Sequence, residues 1–217
     1  MTTSFAPADV LAAQQGIRQR SIELLRSLDD EQAARIVPTC PDWTVAELSC
    51  HLYGVTDDII NGRLENAGSS EWTAAQVARH GSKTLAELCD EWEASADAFD
   101  PIMLVIPEPV NLQVVMDMAT HEHDIRLAVG APGAHDDVAI EIGSQYLLQG
   151  LASRDSDLAA QIEDLDITEF ERFRSLAGRR SLAQLEATGF PGEAYAATLA
   201  RAPFSVTTID IDERTHR

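Results

Sequence analysis

The stretch Thr44-Val45-Ala46-Glu47-Leu48-Ser49-Cys50-His51-Leu52-Tyr53-Gly54-Val55 is where the fold is decided. Thr44 can cap a helix, and Glu47, three residues on, can reach back to the Thr44 amide. Behind this box Leu48, Leu52, Val55 and Ile59 recur at helical spacing, and Asn61-Gly62 supplies a stop. His51 falls three residues after Leu48 and four before Val55, on the apolar stripe, so it faces whatever the helix packs against.

Working outward, the same grammar repeats. Upstream, Leu11, Ile17, Leu24, Leu25 and Leu28 give a helix from Val10, with Pro7 near its start, and Pro38 and Pro41 bracket a non-helical segment. Downstream, Thr84 and Glu87 form a second capping box for a helix carrying Leu85, Leu88, Trp92, Ala96 and Phe99, with Pro101 at its end. A fourth helix starts near Asn111 and runs through Leu112, Val115, Ala119 and Ile125 to the stop Gly130-Ala-Pro-Gly133. Four helices of ~15–20 residues, ~22–30 Å each, can share one core as a bundle.

Beyond Gly130 to Asp137 the chain reads as a second, mostly helical part. It has helices over Val138 to Ile162, Glu169 to Ala177, a short one capped by Ser181 and Gln184 with its stop at Gly189, and Glu193 to Ala200. Ser205 to Ile211 has strand propensity but no identifiable partner. The expected architecture is mainly α: a bundle over residues 1–133 and a smaller, mostly helical region over 134–217.

Composition bounds the partners. The 36 acidic and 16 basic residues leave a net charge of −20, which argues against nucleic acid and anionic membrane surfaces. The longest clean apolar run, Ile102 to Ile106, is far short of the ~20 residues a bilayer needs. The N-terminus lacks the charged start and apolar core of a signal peptide, and three cysteines with no close pair imply no disulfide framework, so a cytoplasmic location is expected. The sequence leaves the oligomeric state open, a homodimer included.

Asp117 and His121 are four residues apart on the fourth helix, offset by only ~40°, and project from one face among Val114, Ile125 and Ala128. A carboxylate among apolar neighbours needs a balancing cation. Two imidazoles and one carboxylate with an open position are a usual catalytic zinc set, though non-haem iron accepts the same donors. Against this stand plainer readings: His51 as a hydrogen-bonded core histidine, and Asp117 with His121 as a helix-surface pair. His123 is ~200° from His121 and cannot chelate with it. Glu122 and Arg126 read as an exposed ion pair. Asp124 either orients a ligand or bonds a neighbouring backbone group, the latter preferred. Arg179 and Arg180, before the capped helix at Ser181, are candidates to grip an anionic substrate; pairing with acidic side chains is the alternative. Cys40, Cys50 and Cys89 read as small buried hydrophobes, and Trp43 as a staple at the start of the second helix.

Cys40-Pro-Asp-Trp-Thr-Val-Ala-Glu-Leu-Ser-Cys-His-Leu52 and Thr120-His-Glu-His-Asp-Ile-Arg126 resemble the actinobacterial mycothiol-dependent maleylpyruvate isomerase family, one of the DinB-like metal-binding four-helix bundles. Gly178-Arg-Arg-Ser181 resembles a motif in the C-terminal part of these proteins. The resemblance runs from about Ala8 to Gly133 and again from Glu169 to Phe204. It implies a divalent metal, usually zinc, on His51, Asp117 and His121, with Asp117 standing where the better-studied isomerases have glutamate. It further implies activation of a low-molecular-weight thiol such as mycothiol for transfer to, or isomerisation of, a small electrophile. Two alternatives stand beside that function: a non-catalytic metal- or ligand-binding bundle, and a hydrolase that activates water with Asp124 or Asp58 as base.

Overall fold

Thr44 caps its helix as the spacing predicts: its Oγ1 accepts from the Glu47 amide at 3.2 Å while Glu47 Oε2 accepts from the Thr44 amide at 2.8 Å. In the structure, a computed structural model that describes residues 4–199 and 206–213, the chain divides into two compact units, Met1–Ala131 and Pro132–Arg217.

The first unit contains α1 (Pro7–Arg26), the single turn α2 (Asp30–Ala33), β1 (Ile36–Val37), β2 (Cys40–Thr44), α3 (Val45–Ile60), α4 (Ser70–His80), α5 (Leu85–Ala94), α6 (Ala96–Met103) and α7 (Val110–Val129). β1 and β2 pair antiparallel within the segment bracketed by prolines. α1 packs on α5 and α7, and α3 on α4, α5 and α7. The core is formed by Val10, Ile17 and Leu25 of α1, Leu48 and Leu52 of α3, Leu88 and Trp92 of α5, Phe99 of α6, and Leu112, Val115 and Met118 of α7. Because α3 is covered on several sides, Val45 and the run from Leu48 to Thr56 are buried rather than a single stripe. α7 stops where expected: Gly130 takes the left-handed conformation at φ 70°, and the Ala131 amide turns back to the Arg126 carbonyl.

Three features differ from the sequence reading. α4 was not anticipated. It is capped by Ser69, whose hydroxyl accepts from the Trp72 amide, but its buried residues are Gln76 and His80, so it has no apolar stripe to read. The helix expected from Leu85 to Phe99 breaks at Ser95, whose hydroxyl bonds back to the Trp92 carbonyl, and Pro101 lies inside α6 rather than beyond its end. Glu122 is buried, not exposed, because α1 lies against that side of α7 and Arg20 joins Arg126 in pairing with it.

The second unit contains α8 (Val138–Ala152), α9 (Ser156–Glu163), α10 (Glu169–Leu176), α11 (Leu182–Ala187) and α12 (Gly192–Leu199). The helix expected to run unbroken to Ile162 is interrupted before Asp155, whose side chain caps α9 by accepting from the Leu158 amide. Leu158, Ile162, Leu176, Leu185, Phe190 and Tyr195 form its core. The described part of the expected strand, 206–211, is not a strand. Its Ile211 is held by a side-chain amide: Gln184 donates to the Ile211 carbonyl and accepts from the Ile211 amide. Ser205, Ala200 and the 200–204 end of the resembling stretch lie outside the described residues. The fold is thus mainly α, a DinB-like bundle followed by a smaller helical part, and no helix of the described residues is long and apolar enough to cross a membrane.

Candidate metal centre

His51 sits in the middle of α3, and Asp117 and His121 one turn apart on α7. Packing of these two helices brings one ligand atom from each of the three residues within 4.8 Å of the others. Asp117 lies between the rings: its Oδ2 is 3.4 Å from His51 Nε2 and its Oδ1 3.7 Å from His121 Nε2. The rings are nearly buried, while the Asp117 side chain keeps 27% of its surface, so the cluster opens on the carboxylate side.

Both imidazoles are tethered through their other nitrogen. His121 Nδ1 is 3.0 Å from Asp124 Oδ2. A carboxylate only accepts, so Nδ1 carries the proton and a neutral His121 turns a bare Nε2 toward Asp117. His51 Nδ1 is 2.7 Å from Gln76 Oε1. Trp43 and Trp72 flank His51, with ring centroids 5.6 and 6.4 Å from it. This contact with His51 gives Trp43 a place at the centre as well as at the helix start.

The two imidazoles differ electrically. Burial disfavours protonation of His51, but the Asp117 carboxylate, Gln76 and Asp58 outweigh it and raise its pKa. At His121 burial wins and lowers the pKa, although Asp124 and Asp117 pull the other way. The donor set of two nitrogens and one carboxylate oxygen, with both Nδ1 atoms held elsewhere, fits a divalent cation.

Other neighbours complete the site. Asp124 bonds a ring nitrogen of His121, the ligand-orienting alternative of the sequence reading, and Cys40 Sγ lies 3.8 Å from the same Asp124 oxygen. Cys40, His121 and Asp124 also place one ligand atom each within 4.8 Å, whereas His123 belongs to neither group. Gln76 was missed with its helix; only the spacing Trp72, Gln76, His80 on one face could have signalled it. Cys50, next to His51, is buried and its thiol is pushed up to about 11, so it stays protonated at neutral pH.

Arg179 and Arg180 lie in the second unit and are both buried. Arg180 is bonded twice by Glu171 and again by Glu213, and Arg179 Nη1 donates to the Ala177 carbonyl. In Arg180 the structure realises the alternative, pairing with acidic side chains.

No curated protein and no solved structure matches the chain. Residues 15–105, which include His51 and Gln76 but end before Asp117 and His121, match the family described as the mycothiol maleylpyruvate isomerase N-terminal domain.

Proposed function

We propose that the first unit holds a divalent metal, zinc foremost, on His51, Asp117 and His121, and that it activates a low-molecular-weight thiol of the mycothiol kind for attack on a small electrophile. The observation that carries this reading is the convergence of the three donors, with the Nε2 atoms of two tethered rings on one carboxylate. When bound, the metal supplies positive charge that favours the thiolate form of a coordinated thiol.

The chain's own residues do the rest. Asp117 contributes the negative charge that makes the site a cation site, and its exposed side leaves room for a sulfur ligand. Asp124 holds the His121 ring and its tautomer. Trp43 and Trp72 pack against the buried His51 ring. The thiolate adds to an electrophilic carbon. Isomerisation follows if the sulfur leaves again, and transfer is complete if it stays and the adduct takes up the proton that the thiol gave up.

A water-activating hydrolase is less well supported, since both carboxylates that would serve as base are engaged. Asp58 accepts from Gln76, Arg63 and Arg79, and Asp124 from His121 and Cys40. The test is elemental analysis of the purified protein and of His51→Ala and His121→Ala, followed by a mass-spectrometric search for thiol adducts across a panel of electrophiles. About one zinc per chain, lost in both variants, and turnover only with added thiol are expected. Full metal occupancy in both variants overturns the ligand set. Turnover without thiol overturns the thiol role, and a metal-bearing protein inert to the whole panel favours a binding protein.

A further inference from the structure

Behind His51 runs a relay of polar side chains that the thiol chemistry does not use. His51 Nδ1 meets Gln76 Oε1 at 2.7 Å, Gln76 Nε2 donates to Asp58 Oδ2 at 2.9 Å, and Asp58 Oδ1 accepts from Arg63 Nε and Arg79 Nη1 at 2.6 Å each. Gln76, His51 and Asp58 are buried. A primary amide can be turned either way, and each way dictates a different histidine. Here Asp58 removes the choice. Its carboxylate, charge-balanced by two guanidiniums, only accepts, so the Gln76 NH2 must face it and the Gln76 carbonyl must face His51. That carbonyl and the Asp117 carboxylate both only accept, but the carbonyl is nearer, 2.7 against 3.4 Å, so the neutral His51 ring keeps its proton on Nδ1 and leaves Nε2 bare toward Asp117.

The backbone makes room for this contact. A Cβ on Gly54, one turn after His51 on α3, would come within 2.6 Å of Gln76 Cβ. Glycine in a helix interior costs about 1 kcal/mol relative to alanine, and here it lets α4 press its glutamine against α3. Trp72, one turn before Gln76, ties the connection that carries Arg63 to the same helix: its Nε1 donates to the Arg63 carbonyl at 2.8 Å.

We infer that Gln76, oriented by Asp58, is a positioning residue that sets the tautomer of His51 and so presents Nε2 to the metal centre. The purpose of this arrangement rests on the metal reading above; the arrangement itself does not. The experiment is long-range proton–nitrogen correlation NMR of the histidine rings in metal-free full-length protein, at a pH where His51 is neutral, with zinc affinity measured alongside by chelator competition. In the wild type His51 should carry its proton on Nδ1. In Gln76→Met, which keeps length and loses the amide, His51 should shift to mixed tautomers and zinc should bind about 10–100-fold more weakly. Asp58→Asn leaves Gln76 in place but allows either amide orientation, and should give the same mixing to a smaller degree, even if Gln76→Met folds poorly.

A wild-type spectrum with the proton on Nε2, or folded variants that keep the wild-type tautomer and zinc affinity, overturn the inference. A wild type with the Nδ1 proton that takes up no zinc overturns the ligand reading and leaves the role of Gln76 supported.

Discussion

The His51 and His121 rings meet at 83° with their centroids 5.1 Å apart, and Asp117 is the acidic side chain that reaches both Nε2 atoms. Its charge is therefore the part of the cluster with most influence on cation binding. Asp117→Asn preserves shape and removes that charge. Zinc affinity should fall by about 100-fold or more, beyond the ~10–100-fold of a lost outer partner. Chelator competition measures it, and an unchanged constant would put the metal elsewhere.

Gly54→Ala tests the close approach of α3 and α4. The added methyl would sit 2.6 Å from Gln76 Cβ. Overpacking of this kind costs about 1–3 kcal/mol, against which alanine returns about 1 kcal/mol of helix propensity. Urea unfolding should show a net loss, and a stabilised variant would mean that α4 yields easily.

Glu122 is buried between Arg20 and Arg126. Glu122→Ala removes the carboxylate that Arg20 and Arg126 share. Removing one partner of a buried pair costs ~3–5 kcal/mol, reduced here to about 2 kcal/mol or more because both arginines keep some solvent contact. Denaturant midpoints check this, and a change within ~0.5 kcal/mol would show that the buried carboxylate's desolvation offsets its pairing.

His80 packs against the Tyr53 ring and has Asp57 3.2 Å from its Nε2. Burial lowers its pKa, opposed by Asp57 and assisted by Lys83 and Arg79. The unfolded chain therefore takes up this proton first as pH falls through about 6.5, and stability drops from there toward the folded value. Metal-free wild type should lose more stability than His80→Leu between about pH 7.5 and about pH 5.5. Equal losses in the two proteins would remove His80 as a source of acid sensitivity.

Thiol reactivity should separate the cysteines. Burial pushes both Cys50 and Cys89 up to about 11, while Cys40 is half-buried. Alkylation of the folded protein followed by peptide mapping should label Cys40 first. Prior labelling of Cys50 would mean that α3 opens readily.

What was legible in the sequence were features written in neighbouring residues. The boxes at Thr44, Thr84 and Ser181 closed as read, and Gly130 ended α7, because capping depends on residues three or four apart. The same locality put Asp117 and His121 on one face. Features that depend on a partner were not legible. α4 buries a glutamine and a histidine, so its helix has no hydrophobic period, and its place against α3 follows from a glycine that only a packed neighbour explains. Glu122 reads as a surface residue until α1 covers it.

The sequence by itself determined that helices form, where most of them begin and end, and which residue types are available for chemistry, since these follow from backbone capping and side-chain period over a few residues. Only the tertiary structure decided that α3 and α7 turn His51 and His121 onto Asp117, that Asp124 and Gln76 take their other nitrogens, and that Arg180 is given to Glu171 and Glu213. Those outcomes depend on which surfaces are buried together, and burial is a property of packed helices rather than of any one segment.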